Sequence, residues 1–226
     1  MPQLLYKTKA GRYHCQNHEE CEDVLDFCET EQFLVSVAAD GATGCRFGRE
    51  GAQAACAAAL DFVRLEEERI FDYPEKKLGY LLVEHILYFI EKDLQDSVHE
   101  YGSTLLLSVI RKSDGRTLIA KLGNGKIFVL KKNGDILDPF ERQQGANACL
   151  TTTEKSYRAF HACYTTLEDE EATLLCTDGL LGLLIHHFKL PSKTALALLD
   201  MQQLTALVDA SDESDDIGFI TVQRTV

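Results

Sequence analysis

The strongest constraint on this chain is a series of short apolar runs joined by glycine-containing turns. Residues 104–112 (TLLLSVIRK) reach Asp114-Gly115 and return as TLIAKL, while KIFVLKK reaches Asn133-Gly134 and returns as DILD. Asp-Gly and Asn-Gly between apolar runs favour the tight turns that close β-hairpins, so the middle of the chain reads as an antiparallel meander. Residues 33–39 (FLVSVAA) read as a buried strand ending at the turn pair Asp40-Gly41. Further strands are expected over residues 157–165, 173–176 and 218–223.

Two long helices interrupt the strands. Ala52, Ala55, Cys56, Ala59, Leu60 and Val63 fall on one helical face. Asp72-Tyr73-Pro74 is a start signal for the second helix, whose apolar face carries Leu78, Leu81, Leu82, Ile86, Phe89 and Ile90. His85 lies on that face and reads as a satisfied core histidine. Shorter helices are expected over residues 180–187 and 196–208. This order lacks the alternation of a doubly wound sheet and points to an α+β fold, antiparallel sheets with helices on their outer faces. The 226 residues suffice for one hydrophobic core, and no repeat or low-complexity linker divides them, so one domain over 1–226 is expected.

Charge narrows the partners. Thirty-six acidic against 23 basic residues leave a net charge of −13, a field that repels nucleic-acid backbones and anionic membranes but accepts cations. No apolar run approaches the ~18 residues of a membrane span. The eight cysteines contain no CxxC pair, and the opening MPQLLYKTK lacks a signal-peptide core, which predicts reduced thiols and a cytoplasmic protein. Cys15, Cys21 and Cys28 with His14 and His18 are too irregularly spaced for a structural zinc site.

Four short acidic islands carry the chemical signal. Glu22-Asp23 precedes VLDF, Asp40-Gly41 ends FLVSVAA, Asp178-Gly179 follows TLLCT, and Asp215-Asp216 precedes the last strand. Carboxylates held close together repel unless a cation lies between them, so such a cluster marks a metal site or shifted pKa values. Oxygen ligands select magnesium or manganese over zinc. A glycine after Asp40 and Asp178 lets backbone approach a bound ion, and can offer a carbonyl as a ligand.

These residues resemble the metal-dependent protein phosphatase 2C family, in a divergent branch common in prokaryotes. GRYHCQNHEECEDVLDF is similar to its opening motif, and VAADGATGCRFGREGAQAA to its block of strand, metal Asp and helix. YGSTLLLSVI, the hairpin LIAKLGNGKIFVL, ANACLTTTE, LLCTDGLLGLL and DDIGFITV follow in family order. The resemblance implies a four-layer αββα sandwich of two antiparallel sheets. It implies a serine/threonine phosphoprotein phosphatase with two Mn2+ or Mg2+ ions and a bridging water that attacks phosphorus without a phosphoenzyme. Asp40 would bridge both ions, Asp178 and Asp215 would complete one and the Gly41 carbonyl the other, with Glu22 and Asp23 supporting or acting through water. A phosphorylated protein linked to a serine/threonine kinase is the implied partner.

Departures from the family pattern bear on turnover. Asn124 and Gly182 stand where many members place the two carboxylates of a third metal, so a third ion is not expected. Ala42 replaces a His proposed elsewhere as general acid. No arginine upstream of Glu22 matches the family's phosphate-binding one. His14 and His18 are the nearby candidates in its place, with Arg12 behind them; His14 is favoured on motif position, against the plainer reading of a surface histidine in a polar loop. His186-His187 read as helix-end residues. Two alternatives stay open: a degenerate phosphatase domain that binds a phosphoprotein or partner without turnover, and a phosphatase of small metabolites.

Overall fold

The computed structural model describes residues 3–92, 95–141 and 150–225. Strands β1 (Gln3–Lys9), β10 (Ile217–Gln223), β9 (Ala172–Cys176), β6 (Lys126–Leu130) and β7 (Ile136–Leu137) form one antiparallel sheet in that order. Strands β2 (Asp23–Glu29), β3 (Phe33–Asp40), β4 (Leu105–Arg111), β5 (Arg116–Leu122) and β8 (His161–Thr166) form the second.

The period-two alternation of strand side chains sorts these sheets into layers. Phe33, Val35, Val37 and Ala39 of β3 pack under helices α2 (Gly48–Leu65) and α3 (Glu75–Lys92), whereas Leu34 and Ala38 face the other sheet and meet Ile127, Leu175 and Ile220. On the far side, Phe128, Leu174, Cys176 and Phe219 pack against α4 (Asp178–Phe188), α5 (Ser192–Leu196) and α6 (Met201–Ala210). The result is the expected αββα sandwich. The inner layer is not wholly apolar: Ser108 Oγ donates to Thr173 Oγ1 across the sheets at 3.1 Å. Alanines 52, 55, 58 and 59 and Cys56 give α2 a smooth buried face that lets it lie close on the sheet.

Several sequence expectations require correction. The meander is two hairpins in different sheets, because β5 pairs with β4 and β8 while β6 pairs with β7 and β9. Gly123-Asn124-Gly125 is therefore a crossing between sheets rather than a hairpin turn, a distinction that local turn chemistry does not encode. The helix expected over 196–208 is two, α5 and α6. Asp200 starts the second through a reciprocal capping box with Gln203, satisfying backbone donors that would otherwise be left open. Strand β8 begins at His161, preceded by a 3-10 turn over Ser156–Arg158. Strand β1 and helix α1 (Arg12–Asn17) were not anticipated: neither is long enough for a clear periodicity. Of the motif ANACLTTTE, residues 146–149, and with them Cys149, lie outside the described residues.

Candidate active site

Every acidic island reaches the same end of the sandwich. Asp23 opens β2 and faces Asp40, the last residue of β3, as its antiparallel register partner. Asp178 is the first residue of α4, directly after β9, and Asp215-Asp216 leads into β10, the strand beside β9. Two glycines make this convergence possible. A Cβ on Gly41 would lie 2.5 Å from the Gly48 carbonyl carbon, and one on Gly179 would overlap the Asp216 carbonyl oxygen. The glycine after each of these aspartates thus serves backbone against backbone: Gly41 lets α2 begin beside the Asp40 bend, and Gly179 lets α4 begin beside Asp216.

Hydrogen bonds hold the carboxylates in unequal ways. Asp23 is buried, and its Oδ2 accepts from Thr177 Oγ1 at 2.7 Å while Oδ1 has no partner. Thr177 Oγ1 in turn accepts from Gly218 N at 2.9 Å, which ties β9 to β10 beside the cluster. Asn124, from the sheet-crossing segment, donates its amide to Asp178 Oδ2 and leaves its own oxygen unpartnered. Glu22 Oε2 is likewise buried and unpartnered. Thr104 closes the other side, accepting from Asp40 N at 2.9 Å through Oγ1 and donating its own N–H to Asp40 O at 2.8 Å.

Among the described side chains no lysine or arginine forms an ion pair with Asp23, Asp40, Asp178 or Asp215, and the pKa values of Asp23, Asp40 and Asp215 show the cost. Burial pushes the Asp40 carboxyl up to about 9, and the charges of Asp23, Asp178, Asp215 and Asp216 add to it. Asp23 is raised well above the usual range by burial, against the Thr177 hydrogen bond and with further repulsion from Asp216, Asp178 and Asp215. Burial and Asp178 raise Asp215, and burial raises Glu22 although His14 offsets part of it.

The donor set is all oxygen, which suits a hard divalent cation, and the orphaned Asp23 Oδ1 and Glu22 Oε2 are buried acceptors of the kind a cation satisfies. Among the described residues no three His, Cys, Asp or Glu side chains stand in a ready-made coordination group. The fit therefore rests on the chemistry and mutual repulsion of these groups. Cys21 adjoins the cluster, its Sγ donating to the Asp23 carbonyl at 3.8 Å, and the other described cysteines are not bonded to these acids. Cys15 is exposed, Cys28 lies by Arg64, and burial raises Cys163 to about 11 and Cys176 to about 12.

The plainer reading of His14, a surface histidine in a polar loop, does not hold. His14 lies on α1 and is 6% exposed, with Nδ1 2.8 Å from Asp216 Oδ1 and Nε2 3.8 Å from Glu22 Oε2. Burial works against its proton, but the Asp216 hydrogen bond and the charges of Asp216, Glu22 and Glu19 outweigh it and raise the pKa. A cleft of about 400 Å³ opens beside it, lined by His14, Glu19, Glu22, Thr43, Arg46 and Arg49. Arg49 is engaged with Glu20 and the Cys21 carbonyl, whereas Arg46 is largely exposed and 3.4 Å from Asp96. Thr177 and Asp216 escaped notice as separate contributors, although both adjoin motif aspartates. Thr104, Arg46 and Arg49 lie inside motif segments read for other residues. His85 is satisfied, Nε2 standing 2.9 Å from Asp61, but it is half-buried at the edge of the α2–α3 contact rather than in the core, and His186 and His187 close the exposed end of α4.

Comparison with known proteins agrees with this architecture. A bacterial serine phosphatase superposes with a TM-score of 0.70 at 16% identity, over 99% of this chain and 98% of the other. RsbX in complex with magnesium gives 0.65 at 14% identity over 98% and 94%. The phosphatase domain of SpoIIE from Bacillus subtilis gives 0.60 at 16% identity over 98% and 92%. At these identities the likeness is one of fold. No curated protein matches the chain in sequence. The family model for protein phosphatase 2C, however, matches residues 10–210, which is most of the chain. A phosphatase 2C domain is what the sandwich and its acidic end amount to, and the chain belongs to the protein phosphatase 2C family.

Proposed function

We propose that this phosphatase domain is catalytically active, removing phosphate from phosphoserine or phosphothreonine in a protein with the help of two Mn2+ or Mg2+ ions. The observation that carries this reading is the convergence of Asp23, Asp40, Asp178 and Asp215 at one sheet end, with the pKa values of Asp23, Asp40 and Asp215 raised and acceptor oxygens of Asp23 and Glu22 left orphaned. Asp40, Asp178, Asp215 and the Gly41 carbonyl would hold the ions, and Glu22 and Asp23 would support them. When bound, divalent cations supply a nucleophilic water at neutral pH and neutralise charge on the phosphoryl oxygens. The magnesium in the RsbX crystals is consistent with that choice of ion.

The chain's own groups do the rest. His14 edges the cleft with its pKa raised, and in its protonated form it would offer its Nε2 hydrogen to a phosphoryl oxygen, while Arg46 adds an exposed positive charge at the rim. Asn124 meets Asp178 as a donor where a carboxylate would add another anion, and Gly182 contributes no ligand, so a third ion has little to bind. The partner is a phosphorylated protein that a serine/threonine kinase modifies, and free thiols suit a cytoplasmic setting.

Phosphate release from phosphoserine and phosphothreonine peptides, with manganese or with EDTA, tests the proposal. Manganese-dependent release that Asp178→Asn abolishes is expected. Release no greater than that of Asp178→Asn would leave a binding domain, and release from sugar phosphates alone would transfer the activity to metabolites.

A further inference from the structure

Asp216 does work that its neighbour Asp215 does not. It is 3% exposed at the entry to β10, and its two carboxylate oxygens are fully used inside the protein. Oδ1 accepts from Gly11 N at 2.6 Å and stands 2.8 Å from His14 Nδ1, and Oδ2 accepts from Glu22 N at 2.5 Å. These partners lie some 200 residues away in sequence, at separations of 205, 202 and 194. Each is a donor. A carboxylate is the side chain of this size that only accepts, so three N–H groups around two oxygens are matched without conflict. Asparagine has the same shape, but its amide hydrogens would face an N–H on one side, and a buried donor would lose its partner.

The same residue touches the other islands through its backbone. Its carbonyl packs against Gly179, next to Asp178, and its N–H donates to Asp215 Oδ1 at 3.1 Å. Glu22, held by Asp216 through its N–H, passes the constraint on, because the Glu22 carbonyl accepts from Gly41 N at 3.2 Å. One residue therefore joins the segments that carry His14, Glu22, Asp178 and Asp215 through its side chain and backbone, and reaches the Asp40-Gly41 bend through Glu22.

We infer that Asp216 is a positioning residue, distinct from the metal-holding Asp215: it locks the His14 ring with Nε2 toward the cleft and sets Glu22 against the Asp40-Gly41 bend. The inference rests on the phosphatase reading only for its kinetic consequence. Its structural content stands whether or not the domain turns substrate over.

The test pairs Asp216→Asn with His14→Ala and their double variant, and adds 15N spectra of the His14 imidazole in the metal-free wild type. The wild-type spectrum is expected to show Nδ1 carrying a slowly exchanging hydrogen-bonded proton. Asp216→Asn should abolish that signal and weaken manganese binding, read by calorimetry, by about 10- to 100-fold, the range for residues that orient ligands. In kinetics it should raise KM as well as lower kcat, and the double variant should be little worse than Asp216→Asn alone. A freely exchanging His14 Nδ1 in the wild type would overturn the inference even if Asp216→Asn fails to fold. So would a folded Asp216→Asn with unchanged imidazole signals and manganese affinity. Loss of phosphatase activity in the wild type itself, with the imidazole lock intact, would count against the proposed activity and not against this role.

Discussion

The two ends of strand β9 present buried acids in opposite conditions. Glu171 precedes the strand, and its Oε2 accepts from Lys131 Nζ at 2.7 Å and from Glu168 N at 3.0 Å. Burial opposes its charge, but the Lys131 and Glu168 hydrogen bonds prevail and lower its pKa. Asp178 follows the strand into a cluster where Asp40 is pushed up to about 9 by burial and by neighbouring carboxylates. Among the described residues the chain pairs a lysine with the structural acid and gives no lysine or arginine to Asp23, Asp40, Asp178 or Asp215 at the site, where His14 contacts only Asp216 and the glutamates. Buried charge without a partner costs stability, so it persists where a ligand compensates for it.

Three experiments bear on that contrast. The largest effect is expected from Asp40→Asn. It should lower manganese-dependent turnover by more than about 100-fold, beyond the usual cost of losing an orienting group, yet raise the melting temperature measured in EDTA. A variant that loses both activity and metal-free stability would show that Asp40 is paired after all.

The pH dependence of metal-free stability comes next. Asp40 has a folded pKa near 9 against an ordinary value of 3.8, so between those values the folded state binds the extra proton. Its stabilising effect is full below about pH 4 and is lost as pH rises toward 9, by at most about 1.4 kcal/mol per pH unit for one proton. Thermal melts in EDTA should therefore fall from pH 5 to 9, and saturating manganese should flatten that slope. Glu171 works in the opposite sense. Its lowered pKa contributes stability above about 4.5 that is lost as pH falls through the folded value. A metal-free melting temperature that climbs toward pH 9 would refute the assignment of unpaired charge to the Asp40 end.

The smallest effect should come from Lys131→Met. Glu171 keeps the Glu168 N–H, and Lys131 is itself partly exposed, so the loss should be about 1 kcal/mol in chemical denaturation. kcat and KM should stay within twofold. A change in turnover larger than the change in stability would mean that the two ends communicate through β9.

Much of this was legible in the chain. Strand periodicity and the Asp-Gly and Asn-Gly turns are set by residues within a few positions of one another, so β3, β4, β5 and the two long helices could be read locally. The acidic islands were legible for the same reason, as short motifs at strand ends. Which hairpin joins which sheet was not, because register pairs such as Lys126 with Cys176 depend on segments 50 residues apart. His14 shows the limit most clearly. In sequence it is a polar residue among polar residues, and only the fold brings Asp216 to its ring.

By itself, then, the sequence determined the element types, the family and the identity of the acids, since each is written in local pattern and motif order. The tertiary structure alone decided how those acids differ. Asp23 keeps one oxygen without a partner, Asp216 spends both on donors from the opposite end of the chain, and Asp40 is crowded by the charges of its neighbours. A carboxylate's role depends on what surrounds it, and those surroundings exist only after the chain has closed on itself.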